Sequence, residues 1–147
     1  MSMSGIIVEN KVDYNSILKL CLWSEVHRHW FVKEIERLFI KPLEDDHARL
    51  FYKDGKIIGF GSWAFLSDEV QDAFKSGSRK LQSEDWKSGN NVWVIDAIAP
   101  NKEIGFIARW LRSYLSPYCH QLGTDRCHWL RRKSDGSIRR IGLAFAQ

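Results

Sequence analysis

The sequence predicts a single α/β domain over residues 1–147, a mixed β-sheet flanked by helices, on three observations. Helical and strand-like patterns follow one another in the order ααββαβαββ, which one sheet with helices packed on it accommodates. The run Val92-Trp93-Val94-Ile95-Asp96-Ala97-Ile98-Ala99 is almost wholly apolar and of strand length, the pattern of a central strand covered on both faces. Finally, 147 residues that are 44% apolar and 13% aromatic, with three Pro and ten Gly, suffice to bury a core and leave no room for a long linker. No internal repeat interrupts them.

The elements follow from local pattern. Ile17, Leu18, Cys21 and Leu22 recur at helical spacing between Tyr14 and Trp23, with Asp13 placed to cap the helix. That helix delivers the chain to the segment from Ser24 to Trp30. Val32, Ile35, Leu38 and Phe39 predict a second helix that stops near Pro42, because the residue before a proline is driven out of helical geometry. Ala48–Lys53 and Ile57–Phe65 then predict two strands joined at Asp54-Gly55, a dipeptide that supplies the positive φ of a tight hairpin. Ser67 is placed to cap a short helix reaching Phe74, with Asp68 and Glu69 in the first turn, where the helix dipole favours acids. Ser76 to Asn91 reads mostly as loop. After the Val92–Ala99 strand, which ends at Pro100, a helix is predicted from Ile104, Ile107, Ala108, Leu111 and Leu115. Cys127–Arg132 and Ile138–Phe145 complete the sheet as two strands joined through Ser134-Asp135-Gly136.

Charge is unevenly spread. Residues 1–100 carry 13 basic and 15 acidic side chains, a net −2, whereas residues 101–147 carry 9 and 3, a net +6. A basic last third attracts an acidic partner, which the charge alone does not choose among nucleic acid, an anionic membrane and an acidic protein. Three cysteines, Cys21, Cys119 and Cys127, make an odd number without CxxC spacing, and no charged-then-apolar leader opens the chain, so reduced thiols in a cytoplasmic protein are expected. Apolar runs are broken well short of the roughly 18–20 residues of a membrane span. No span is expected.

Asp96 is the most informative polar residue, since an ionised carboxylate inside an apolar strand is costly unless paired. It is either a structural acid satisfied by an Arg or by backbone N–H groups, or an acid that orients a histidine. Five histidines compete for that partnership: His27, His29, His47, His120 and His128. His27 stands apart within Trp23-Ser24-Glu25-Val26-His27-Arg28-His29-Trp30, a polar segment bracketed by aromatics that exclude water. Cys119-His120 and Cys127-His128 are the one loose approach to metal-ligand spacing, and no metal is expected because Cys127 and His128 alternate on a strand and face opposite ways. The GxSxG elbow, the Walker loop and GxGxxG are absent. The strand-loop-helix junction Ile98–Phe106 has the form of a phosphate site, but its single glycine and Glu103 leave a plain connection equally open.

Four collinear blocks carry a resemblance: Trp23-Ser24 with His27-Arg28-His29-Trp30, Ser62-Trp63-Ala64-Phe65-Leu66-Ser67-Asp68-Glu69, Glu84-Asp85-Trp86-Lys87-Ser88-Gly89, and Trp93-Val94-Ile95-Asp96-Ala97-Ile98-Ala99-Pro100. Over about 80 residues the chain resembles the RTX toxin-activating lysine acyltransferases. The resemblance implies a GNAT-like fold and a cytoplasmic enzyme that moves a fatty acyl group from acyl-carrier protein, its co-substrate, to internal lysines of an RTX-type protoxin. It also implies that His27 is the catalytic histidine, in Ser-x-x-His-Arg, that Asp96 is the catalytic aspartate, in Ile-Asp-x-Ile-Ala-Pro, and that Ser24 is the motif's serine. Glu25 stands where a proline is usual and Ala97 where a tryptophan is usual. The implied chemistry makes His27 the base and Asp96 its partner, with a covalent acyl stage on His27 or Ser24 left open. The basic last third, with Arg109, Arg112, Arg131 and Arg132, is then the expected docking face for the acidic carrier. Two alternatives remain: an N-acetyltransferase using acetyl-CoA on the same fold, and a nucleic-acid-binding module, disfavoured because Trp110 and Trp129 have the spacing of core residues. A homodimer is left open.

Overall fold

Among the described residues, six strands form one sheet in chain order: β1 (Ile6–Glu9), β2 (Ala48–Lys53), β3 (Lys56–Leu66), β4 (Asn91–Ile98), β5 (Arg126–Arg132) and β6 (Ile138–Phe145). The computed structural model describes residues 5–132 and 138–145. The expected turn Ser134-Asp135-Gly136 and the side chains of Arg131 and Arg132 lie outside the described residues. Neighbouring strands are antiparallel except β4 and β5, which run parallel. The crossover between them is α5 (Ile104–Gln121). Asp54-Gly55 closes the β2–β3 hairpin with both residues at positive φ, 53° and 78°. β1 is absent from the sequence-based order. It is a four-residue edge strand with one buried side chain, too short to show alternation.

Helix α1 (Tyr14–Trp23) starts where expected, with Asp13 Oδ1 accepting the Ser16 N–H at 3.1 Å. The second helical region corrects the expectation of a stop near Pro42. It runs as α2 (Val32–Ile35), a π-helical stretch Glu36–Ile40 and α3 (Lys41–Glu44). The Lys41 N–H donates to the Glu36 carbonyl, five residues back, so the hydrogen-bond register has already shifted when the chain reaches Pro42 in the first turn of α3. Proline is tolerated there because a first-turn N–H has no ladder partner to lose.

Ser67 caps α4 (Asp68–Lys75), accepting the Val70 N–H at 3.1 Å. The segment expected to be mostly loop contains a 3₁₀ turn, Ser83–Trp86, that buries Asp85 and Trp86. Arg79 donates two hydrogen bonds to the Asp85 carboxylate, at 2.7 and 2.9 Å, and the Gln82 N–H adds a third at 2.8 Å. Gly89 then passes so close to the β3–α4 junction that a Cβ on it would stand 2.4 Å from Ser67 Cα. The glycine in this block is thus required by backbone approach.

Two apolar clusters lie on opposite faces of the sheet. The first joins Ile17, Leu20 and Cys21 of α1 and Leu38 and Phe39 to Phe60, Trp93, Ile95 and Ile98. The second joins Ile107, Leu111 and Leu115 of α5 to Phe51, Trp63, Val92 and Cys127. Trp110 packs on Phe51 and Tyr114, with ring centroids 5.3 and 4.9 Å away, as its spacing predicted. The three cysteines are buried free thiols. Among the described residues, no helix is long and apolar enough to cross a membrane.

One buried histidine, His47, and one partly buried, His128, make stability pH-dependent. The His47 Nδ1–H donates to the Trp63 carbonyl at 2.7 Å, and His128 stacks on Trp93 with ring centroids 4.9 Å apart. Burial holds both imidazoles below their ordinary pKa, against the opposing pull of the carbonyl contacts, His47 with Trp63 and His128 with Val92. A depressed folded-state pKa means the unfolded chain binds the proton first, so stability is fully present above about pH 6.5 and is lost as pH falls below it. The urea midpoint should therefore drop between pH 7 and pH 5, and His47→Gln should flatten that drop. Gly89→Ala should destabilise by about 1–3 kcal/mol, the range for forced overpacking, in the same urea titration at pH 7.5.

Candidate active site

The Ser24-x-x-His27 spacing is a capping geometry. Ser24 ends α1 in extended conformation, and its carbonyl accepts the Arg28 N–H at 3.0 Å while its Oγ accepts the His27 N–H at 3.3 Å. A serine that caps a turn brings its hydroxyl beside the side chain three residues on. Here that side chain is the imidazole of His27, with Nδ1 2.5 Å from Ser24 Oγ. The ring is 5% exposed and packs against Trp30 and Phe39, centroids 4.4 and 5.7 Å away. Phe39 belongs to the π-helical stretch and rests in turn on Phe60.

Asp96 reaches this ring because β4 is irregular. Register runs Trp63↔Val94 and then Ser62↔Asp96, so Ile95 is an extra residue opposite no partner. Strict alternation would put Asp96 with Val94 on the α5 face. The bulge instead sends Ile95 and Asp96 to the α1 face, and Ala97 returns to the α5 side. Asp96 Oδ2 then accepts from His27 Nε2–H at 2.6 Å, and Oδ1 accepts the Ala97 N–H at 3.0 Å. Of the three ways expected to satisfy this carboxylate, a histidine and a backbone N–H are present, and an Arg is not among the described contacts.

These contacts fix the tautomer. A carboxylate 2.6 Å from Nε2 places a proton on that nitrogen, so in the neutral imidazole Nδ1 carries the lone pair and Ser24 donates its hydroxyl to it. Asp96, His27 and Ser24 thus form one hydrogen-bonded chain that ends on a hydroxyl. His47 and His128 do not join it: they bond backbone carbonyls elsewhere, and Cys127 and His128 face opposite sides of β5. Among the described residues, no group of three His, Cys, Asp or Glu is placed to hold a metal.

Ser24 and His27 open on a cavity of about 750 Å³, within the usual range for small-molecule sites. It arises where β4 and β5 part company. They pair only at Val92↔Cys127, Trp93↔His128 and Val94↔Trp129, and beyond that point β4 continues alone past Asp96. Val94, Ala97, Leu111 and Trp129 give the cavity an apolar wall, while Arg109 and Arg112 of α5 give it a basic one. Trp129, expected in the core by its spacing, lines this cavity instead, because the residue it pairs with is the last before the strands diverge. Of the Ile98–Phe106 junction, Ile98, Ala99, Pro100 and Ile104 also line it. A Cβ on Gly105 would lie 3.3 Å from Arg109 Nη1, so the bare glycine lets this guanidinium fold back over the first turn of α5. Arg109 and the cavity's aliphatic wall carried no pattern in sequence beyond helix spacing and positive charge.

Both nearby cysteines are held toward the protonated thiol. Burial, and secondarily the Asp96 charge, push the Cys21 thiol up to about 11. Burial pushes that of Cys127, on the cavity wall, up to about 12.

Comparison with known proteins agrees with this architecture. The fold is similar to the loading GNATL domain of CurA from Lyngbya majuscula, with a TM-score of 0.52 at 14% identity over 86% of this chain and 65% of that one. N-acetylglutamate synthase from Neisseria gonorrhoeae gives a TM-score of 0.53 at 10% identity over 90% of this chain and 27% of that one. The mixed sheet with its helices is thus a GNAT-like fold. In sequence, the chain is 31% identical over 105 residues to the RTX-II toxin-activating lysine-acyltransferase ApxIIC of Actinobacillus pleuropneumoniae, covering 69% of this chain and 66% of that protein. It is 32% identical over 104 residues to the protein-lysine myristoyltransferase RtxC of Kingella kingae, covering 71% and 62%. The matched region spans a little under two thirds of the length of these relatives. The model of the RTX toxin acyltransferase family, HlyC, matches residues 13–142, and the chain belongs to that family.

Proposed function

We propose that the protein is a lysine acyltransferase that moves a fatty acyl group from acyl-carrier protein to the ε-amino group of lysines in an RTX-type protoxin or a related secreted protein. The observation that carries this reading is the hydrogen-bonded chain Asp96–His27–Ser24 ending on a cavity with an apolar wall. A lysine amine has a pKa near 10.4 and attacks only when neutral, so the reaction requires a base at the point of attack. His27 Nδ1 is that base, and Ser24 stands between it and the cavity.

As the lysine nitrogen bonds to the thioester carbon, one amine proton passes to Ser24 Oγ while the Ser24 proton passes to His27 Nδ1. Asp96 stabilises the imidazolium that results, as carboxylates do in hydrolase triads. Collapse of the tetrahedral intermediate breaks the C–S bond, and the imidazolium returns its proton to the departing thiolate. The products are an amide and a free pantetheine thiol. Val94, Ala97, Leu111 and Trp129 suit an aliphatic chain. Arg109, folded toward the start of α5, suits the single phosphodiester of a carrier's pantetheine arm, and the basic wall complements an acidic carrier.

The deciding experiment is co-expression with an RTX-type protoxin and acyl-carrier protein, followed by mass analysis of the protoxin's lysines. Wild type should add fatty acyl groups. His27→Ala should lower the initial rate by about 10²–10⁴-fold, the range for losing a general base. Absence of acylation by wild type, or an unchanged rate in His27→Ala, overturns the reading, and efficient use of acetyl-CoA in place of the carrier redirects it to N-acetyl transfer. Arg109→Glu should raise the KM for acyl-carrier protein more at low than at high salt, because an exposed charge contact is screened. Steady-state kinetics at two ionic strengths checks this.

A further inference from the structure

Ser62 lies in the middle of β3, fully buried, and its Oγ is the one buried side-chain polar atom among the described residues without a hydrogen-bond partner. A buried hydroxyl left unpaired is costly, and such groups concentrate where function uses them. Its position is specific. Ser62 is the cross-strand partner of Asp96, at the step where the β4 bulge begins. Its strand neighbours Phe60 and Ala64, two residues either side, belong to the cluster on the α1 face, whereas Trp63 belongs to the other. Alternation therefore puts the Ser62 side chain on the same face as Asp96 and His27.

The two residues have complementary deficits. An ionised carboxylate accepts about four hydrogen bonds. Asp96 has two, from His27 Nε2 and the Ala97 N–H. Ser62 has a donor and nowhere to send it. Directly opposed residues in an antiparallel pair have Cβ atoms about 4.5–5.5 Å apart, a separation that one bridging water or a rotation of the Ser62 side chain closes. No other charged side chain pairs with Asp96 among the described contacts.

We infer that Ser62 is a positioning residue of the catalytic site, its hydroxyl donating to the Asp96 carboxylate and so fixing the orientation in which Asp96 holds His27. The role acts through Asp96, and Ser62 touches neither acyl donor nor lysine. It is greatest when His27 becomes positively charged, since the carboxylate must then stay aligned with Nε2–H against any pull from the open cavity. The inference rests on the proposed acyl transfer only for its kinetic arm.

The test uses Ser62→Ala and Ser62→Cys in the full chain. Cysteine fills almost the same space with a much weaker donor, so it separates the hydroxyl from packing. Both variants should lower kcat about tenfold, the effect of one lost hydrogen bond to a charged group, with the KM for each substrate within about twofold of wild type. Independently of activity, the downfield proton resonance of His27 Nε2–H should shift in both variants, in ligand-free protein. A Ser62→Cys variant with wild-type kcat and an unmoved His27 resonance overturns the inference, as does a loss confined to Ser62→Ala, which would be a cavity effect. If wild type transfers no acyl group, the proposed function fails on that result alone, and the resonance still decides the role of Ser62.

Discussion

The hydrogen bond between His27 Nε2 and Asp96 Oδ2 joins residues 69 positions apart, and much of the fold is arranged to make it possible. One end requires α1 to stop at Trp23 and the next turn to be capped by Ser24, so that the imidazole faces the sheet. The other end requires a bulge in β4, without which the carboxylate would sit on the α5 face. The aromatic packing of Trp30 and Phe39 then leaves the ring little freedom to turn away. A buried carboxylate deprived of its partner is strongly destabilising, so the contact that organises the site is also one the core resists breaking.

The single parallel pair in the sheet has a consequence of its own. A parallel connection needs a long crossover, which α5 supplies, and the crossover helix roofs the strands it joins. Because β4 and β5 pair at only three positions before they diverge, α5 bridges an opening and not a closed sheet. The cavity thus has strand residues for one wall and the side chains of α5, including Arg109 and Arg112, for another. The basic residues of the last third matter through this placement on the cavity wall more than through their sum.

Much of this was legible in the sequence. Asp96 announced itself as a carboxylate in an apolar strand, and His27 as a histidine between aromatics next to a helix end. The turn at Asp54-Gly55 and the caps at Asp13 and Ser67 rest on local chemistry, and local chemistry survives folding. What stayed hidden is tertiary. An apolar run buried on both faces has no alternation, so nothing in Val92–Ile98 signals that Ile95 is an extra residue. Pro42 signalled a stop that the π-helical register upstream made unnecessary. Trp129 has the composition of a core residue, and only the end of strand pairing turns it into cavity wall. β1 was too short to carry a period at all.

Rigidity and access are divided between the two sides of the sheet. The α1 face holds His27 and Asp96 with little exposure, and each nitrogen and each oxygen of the pair has a defined partner. Pre-set geometry of this kind is what lets a base act without reorganising during the reaction. Val94, Leu111 and Trp129 set the shape of the cavity, and Ser24, His27, Asp96, Arg109 and Arg112 give it its polar and charged lining. Ser24 stands at the border, capping the turn that carries His27 with the same oxygen that contacts Nδ1. Its structural and chemical roles therefore share one atom, and a serine at this spacing satisfies both at once where a residue lacking the hydroxyl satisfies neither.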